Sequence, residues 1–551
     1  MRIQSKKRAY ATTYQSQNQL VLEGFESPFD QKLRSDNRWV VLANLIPWDE
    51  IVGIYLKHVP PASTGRPSLS PRIVIGSLII KHLCNLDDRE TVDQISENMY
   101  MQYFLGFTSF SNEPPFDPSL FVEFRKRIGM DQVNAINEKI AMLKADFESI
   151  KNVSASKDKS DNQDLDHHSD EHSSGDEQED MNKSMQKGKE EESHNNKGRV
   201  IMDATACPQD IAPPTDLNLL NNGREKLEEL IDILYSKELH QTKPRTYRKK
   251  ARKLYLHVAQ MKKKSNIDIR KANGQQLRFV KRDIKTIHSL LDVYEQKKIS
   301  FPLSFSELRY FWIVQTLYQQ QQTMYDNRTR SIEHRIVSIH QPHVRPIVRG
   351  KAKAHTEFGA KINVSLIDGI SFLDELSWDA FNEGDHLIQY VEKYKQRFGF
   401  YPAEILADKI YCSRNNRKLL KDLNIKLIAK PLGRPSTDPA LSIHVSPGER
   451  NPIEGKFGQG KTGYGLDRIK ARLKNTSESW IALIIMVLNL VKLAGVAAPS
   501  LLLNYMKSVF TFSAQYLKLW RMEFNQWDIY FSRQNAMPIL NSSQTFVELC
   551  R

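Results

Sequence analysis

Three acids and two cations carry the chemistry that this sequence offers. The stretch Arg450-Asn451-Pro452-Ile453-Glu454-Gly455-Lys456-Phe457-Gly458-Gln459-Gly460-Lys461 sets a carboxylate four residues after one cation and seven before another. In a helix Arg450, Glu454 and Lys461 share one face, which then offers a hard oxygen ligand beside cations able to clamp phosphate. The same spacing also fits a solvated i,i+4 Arg–Glu pair. Five glycines from Gly455 to Gly465 weigh against a regular helix, since each costs about 1 kcal/mol relative to Ala. The spacing gains force from two further acids in apolar surroundings. Asp203 interrupts Val200-Ile201-Met202-Asp203-Ala204-Thr205-Ala206, and Asp408 ends Ala403-Glu404-Ile405-Leu406-Ala407-Asp408. Carboxylates of this kind suit Mg²⁺ or Mn²⁺. Two such ions about 4 Å apart activate an attacking oxygen and stabilise a leaving one in in-line phosphoryl transfer.

Each acid needs an element to position it. Val200–Ala206 reads as a buried strand, and Ala403–Asp408 as a strand ending on a carboxylate, where α/β sheets place active groups. Ile336–Ile339 and Lys361–Ile367 read as strands, the second ending in the hairpin pair Asp368-Gly369, with Asp368 as a turn residue. Asp385–Phe398 and Arg414–Leu423 read as helices, and Lys426–Ala429 as another strand. Between the first strand and these lies a helical insert, 216–335, opening with the amphipathic helix Asn218–Tyr235 and ending with Ser306–Tyr325. The segment Lys243–Lys285 holds sixteen Lys or Arg against the acids Asp268 and Asp283, a local charge of +14. That equals the formal net charge of all 551 residues, so the basicity is local. Its apolar stripe (Tyr247, Leu254, Tyr255, Val258, Met261) predicts a docked helix with Lys249, Lys250, Arg252, Lys253, Lys262, Lys263 and Lys264 on its outer face, able to track a phosphate backbone. Arg345, Arg349, Lys351, Lys353 and His355 form a second basic stretch.

N-terminal to the first catalytic strand, residues 1–150 read as an all-α domain. Trp39–Ala43 and Trp48–Leu56 are amphipathic, Ile73–Leu83 is an apolar helix, and Thr91–Met99 keeps helical spacing. Ser119 is placed to cap a helix carrying Arg125, Lys126 and Arg127. Residues 151–199 read as a disordered acidic linker, because 154–199 contains one large aliphatic residue, Leu165, and cannot offset the entropy of ordering. His167, His168, His172 and His194 within it fit a solvated linker better than a metal site. The four cysteines, Cys84, Cys207, Cys412 and Cys550, show no C-x-x-C pair, which fits a reducing cytoplasm and argues against a disulfide framework or structural zinc. The apolar run Trp480–Val491 reads as a buried helix too short to span a bilayer. Lys243–Lys285 lacks the large exposed aromatic face of an interfacial helix, so no membrane partner is expected. Residues 200–495 then form a mixed α/β domain and 496–551 a C-terminal helical segment.

Met202-Asp203-Ala204-Thr205, Ala407-Asp408-Lys409-Ile410-Tyr411 and Arg450-x3-Glu454-x6-Lys461 followed by Tyr464-Gly465-Leu466 resemble the three signature segments of DDE transposases of bacterial insertion sequences, of the insertion-sequence-five type. The resemblance covers 40–125 and 200–495. It implies an α/β fold with an RNase H-like mixed-sheet core, a helical insert after the first strand and an N-terminal all-α domain. It assigns catalysis and metal binding to Asp203, Asp408 and Glu454, with two Mg²⁺ or Mn²⁺ ions, and phosphate contacts to Arg450 and Lys461. The implied partners are double-stranded DNA, as terminal inverted repeats and target, and a second copy of the chain on that DNA. The implied location is the bacterial cytoplasm, at the nucleoid. Where such enzymes carry a Tyr three residues before the Arg, this chain has Pro447. Two alternatives stay open on the residues: an RNase H-like nuclease that cuts without strand transfer, and an inactive DNA-binding protein.

Overall fold

The computed structural model describes residues 33–59, 68–142, 196–348, 356–430 and 448–495. The C-terminal segment 496–551, Pro447, Arg349, Lys351 and the acidic linker up to residue 195 lie outside them.

The region after the acidic linker is built on a six-stranded mixed sheet. Its strands are β1 (Arg199–Pro208), β2 (Arg345–Val348), β3 (Thr356–Ile367), β4 (Ile370–Ser377), β5 (Glu404–Leu406) and β6 (Lys426–Ile428). The order is β2-β3-β1-β5-β6, with β4 also paired to β3. β1 runs antiparallel to β3 and parallel to β5, which is parallel to β6. Asp368 and Gly369 turn β3 into β4 with φ of 49° and 82°, the left-handed pair that a two-residue hairpin requires. Ile336–Ile339, expected as a strand, joins no ladder. Ile336 and Ile339 instead pack against Leu219 and Leu317 of the insert. A four-residue apolar run carries too little periodicity to tell a strand from a packed loop.

The insert consists of α8 (Asp216–Leu234), α9 (Arg248–Ala259), α10 (Asn266–Gln296) and α11 (Phe305–Asp326). Its core joins Leu227, Ile231 and Leu234 to Val280, Ile287, Phe311 and Val314. The basic segment is therefore two helices and a loop: Lys249, Lys250, Arg252 and Lys253 are exposed on α9, whereas Lys262, Lys263 and Lys264 are exposed on the loop beyond it. Asp283 of α10 is buried among these helices at 1% exposure. Neither of its oxygens accepts a hydrogen bond from the described residues, and the nearest ion-pair partner is Arg282 Nε at 3.7 Å.

The N-terminal helices α1 (Arg38–Leu45), α2 (Trp48–His58), α3 (Pro71–Cys84), α4 (Asp88–Glu97), α5 (Met99–Phe104) and α6 (Leu120–Arg127) follow the expected pattern, with a further helix, α7, over 130–142. Ser119 precedes α6 but makes no side-chain cap, and Asp117 accepts the Ser119 N–H instead. These helices pack on the sheet region through α15 (Lys474–Ala494), which touches α1, α3 and α6 as well as β4. α15 is long and apolar enough to cross a membrane by length and composition, but it is buried within the fold. Its one mid-helix polar interruption, Asn489, bonds to Asn137 of α7 and to the backbone of Ser371 at the start of β4. Fully buried amides persist where every bond is made, so Asn489 aligns α7, α15 and β4.

Burial raises the Asp283 carboxyl to about 7, against the pull of Arg282. From the ordinary carboxylate range up to that value the folded chain holds a proton that the unfolded chain has lost. Stability from this group therefore falls as pH rises through that window, by up to about 1.4 kcal/mol per pH unit. Asp283→Asn should flatten the decline between about pH 5 and 7 in denaturant unfolding and leave the variant the more stable protein at pH 8. An unchanged pH profile would contradict this account of Asp283.

Candidate active site

Parallel pairing of β1 with β5 places the first two acids. Ile201 stands opposite Leu406 in that ladder. Asp203 and Asp408 each lie two residues further on, so both carboxylates emerge beyond the same end of the parallel pair. Asp203 stays within β1, opposite Val364 of β3. Asp408 leaves β5 and caps the helical turn Lys409–Tyr411, accepting the Lys409 N–H at 2.7 Å. Tyr411 of that turn is fully buried, and its hydroxyl is bonded by Asn363 Nδ2 of β3 at 2.5 Å. The turn that carries Asp408 is thereby anchored under the sheet.

The third acid comes from α14 (Asn451–Tyr464). This segment is helical despite its glycines because tertiary packing outweighs propensity. Ile453, Phe457, Gly460 and Tyr464 form its buried face. A Cβ on Gly460 would lie 3.1 Å from Leu466 and 3.4 Å from Leu488 of α15, so the two helices approach closely there and leave little room for a side chain. Gly465 ends the helix in the left-handed conformation at φ 71°. Pro452 sits in the first turn, where its missing N–H costs nothing. On the adjoining face Arg450, Glu454 and Lys461 line a cavity of about 850 Å³ together with Phe457, Asp203 and Asp408. The five residues singled out by spacing thus share one wall.

Arg450 bridges the two strand acids. Its Nη2 is 2.9 Å from Asp203 Oδ2 and its Nη1 is 3.5 Å from Asp408 Oδ1. Burial lifts the Asp203 carboxyl above its ordinary range, and the Asp408 and Glu383 charges add to that rise. Arg450 and the Ala204 N–H, which donates to Asp203 Oδ1 at 2.8 Å, pull it back down. Among the described residues no three His, Cys, Asp or Glu side chains approach closely enough to form a ready metal cage. The donor set nevertheless suits a hard cation, being oxygen only, and the Asp203–Asp408 pair already accommodates one cationic group.

The cavity also holds residues that spacing did not single out: Glu383, Lys361 and Lys409. Glu383 opens the helical turn that precedes α12 (Leu387–Phe398). An acid at a helix start is ordinary in any sequence, so no local signal marked it. The exposed cations of α9 and of the loop after it lie outside the cavity lining.

A mixed sheet whose parallel strands bring two acids to a cavity that a packed helix completes with a third is the frame of an RNase H-like core, here with a helical insert after β1. Residues 27–127 match a transposase domain, DUF772, and residues 405–491 match a transposase DDE domain. Together the two matches support a DDE transposase of an insertion sequence. Over 108 residues the chain is 37% identical to the uncharacterized protein ORF8 in the nfe locus of Rhizobium meliloti, a stretch that is 19% of this chain and 50% of that protein. The chain therefore spans about half the length of this curated relative. No solved structure matches the chain.

Because Arg450 holds the Asp203 carboxyl down against burial, Arg450→Met should move its titration to higher pH. Carbon-detected NMR of aspartate-labelled protein reads that midpoint, and a midpoint that stays or falls would show that the pairing is not formed in solution.

Proposed function

We propose that this protein is a transposase that cleaves DNA at the ends of its element and joins the freed 3′-hydroxyl to target DNA. The observation that carries the reading is the convergence of Asp203, Asp408, Glu454, Arg450 and Lys461 on one cavity, within a chain that carries transposase domains. Asp203, Asp408 and Glu454 would hold Mg²⁺ or Mn²⁺, two ions in the working complex. When bound, such ions supply Lewis-acid polarisation of the phosphate and an activated oxygen nucleophile. The chain's own groups do the rest. Asp203 and Asp408 are fixed by the parallel strand pair, and Glu454 is fixed by a helix packed on α15. Arg450 exchanges its carboxylate partners for a DNA phosphate, and Lys461 at the other end of the same helix face holds a neighbouring one. No protein nucleophile takes part, so no covalent protein–DNA intermediate forms.

The remaining parts take roles around this centre. The N-terminal helices recognise the terminal inverted repeats. The insert, with Lys249, Lys250, Arg252, Lys253, Lys262, Lys263 and Lys264 at its surface, grips flanking or target duplex through its phosphates, with affinity that falls as salt rises. Arg349 and Lys351, between β2 and β3 in the chain, extend that contact. Two copies act together because two ends must be joined, and the work is done on the nucleoid in the bacterial cytoplasm.

The test is cleavage and joining of labelled DNA bearing the element's ends, with Mg²⁺ or Mn²⁺, comparing wild type with Asp408→Asn. Wild type should yield nicked and joined products. Asp408→Asn should bind the same DNA and lose at least about a hundredfold in cleavage, the scale of removing one electrostatic group aimed at a reacting centre. Cleavage without joined products would make the protein a nuclease. Binding without cleavage by either protein would make it a DNA-binding protein only.

A further inference from the structure

The cavity wall holds a fourth carboxylate, and this one is tethered. Glu383 pairs with Lys361 Nζ at 2.7 Å, with the side chains 15% and 17% exposed. Lys361 is itself fixed. It donates to the Phe381 carbonyl at 2.6 Å and lies 4.8 Å from the centre of the Phe381 ring. The turn bearing Glu383 is equally constrained. Asn382 Oδ1 accepts the Gly384 N–H, Asn416 Nδ2 donates to the Gly384 carbonyl, and a Cβ at Gly384 would collide with the Ile410 carbonyl. Glu383 is therefore braced against the same turn that Asp408 caps. Glu383 lines the same cavity as Asp203 and Asp408.

Charge on the cavity wall is balanced: Asp203, Glu383, Asp408 and Glu454 face Lys361, Lys409, Arg450 and Lys461. A divalent cation entering there has to compete with Arg450 for Asp203 and Asp408. A fixed negative charge lining the same cavity, in a partly buried site where screening is weak, tilts that competition. We propose that Glu383 is a positioning residue that draws a divalent cation to Asp203 and Asp408, and that Lys361 sets the strength of that pull. The inference rests on the reading of this cavity as a metal-dependent transposase centre, and it adds a residue pair to the three acids of that reading. Glu383→Gln leaves Lys361 as an uncompensated repulsive charge, while its amide oxygen can still accept the lysine's hydrogen bond. Lys361→Met leaves the full charge of Glu383 facing the cavity. The two variants should thus change cation affinity in opposite directions, whereas a purely structural ion pair would make both losses alike.

The experiment is Mn²⁺ binding to the full chain without DNA, followed by the paramagnetic resonance of free Mn²⁺, for wild type, Glu383→Gln, Lys361→Met and Asp408→Asn. Glu383→Gln should weaken Mn²⁺ binding about tenfold or more, as the loss of outer partners of a metal site does, and Lys361→Met should tighten it. Wild-type affinity in Glu383→Gln, or weakening in both variants, would overturn the proposal while the three-acid centre stands, provided that Asp408→Asn binds weakly. Unchanged affinity in Asp408→Asn would remove the metal reading of the cavity and this inference with it.

Discussion

Parallel pairing of β1 with the short strand β5 is the constraint on which the site depends. Ile201 beside Leu406 fixes a register in which the carboxylates of Asp203 and Asp408 leave the sheet at the same end. A slip of one residue in either strand would turn one of the acids to the opposite face. The register is held by burial, because Val200, Met202, Ile405 and Ala407 are all in the core beneath. Tyr411 belongs to the same core, which carries the fixation past the end of β5 to the turn that Asp408 caps. The cost of gathering acids there is met by Arg450, which spans both at 2.9 and 3.5 Å.

The third acid is set by a different means. α14 owes its helical form to packing on α15, and α15 owes its place to the N-terminal helices on one side and β4 on the other. Lys81 and Arg125 of those helices lie over the ring of Trp480 at 5.1 and 5.4 Å, and both pair with Asp88. Asn489 ties the far end of the helix to α7 and β4. A disturbance of the N-terminal helices therefore has a physical path to Glu454, through one buried helix. The N-terminal helices and the helix that carries Glu454 both pack on that element.

Much of this was legible in the sequence because one acid interrupts an apolar run and another ends one. Asp203 and Asp408 stand out as charges in segments that otherwise want burial, and Asp368-Gly369 announces a hairpin by its chemistry alone. The helix from Asn451 was legible in its charge spacing but not in its propensity, since five glycines argue the other way until α15 is brought against them. Ile336–Ile339 misled because four apolar residues fit a strand and a packed loop equally well. Glu383 and Lys361 escaped notice for the opposite reason. Each is an ordinary residue in its local sequence, and only the folding of β3 against the turn before α12 makes them a pair facing the acids. The bridging role of Arg450 was also hidden, because its spacing to Glu454 suggests an intrahelical partner while the fold gives it two acids from the sheet.

The most direct measurement of the central claim is anomalous diffraction from crystals grown with Mn²⁺. The account predicts a peak in the cavity, with Asp203 and Asp408 as ligands and the Arg450 guanidinium displaced from between them. Mn²⁺ bound only elsewhere on the chain, with Arg450 still joined to both carboxylates at saturating metal, would contradict it.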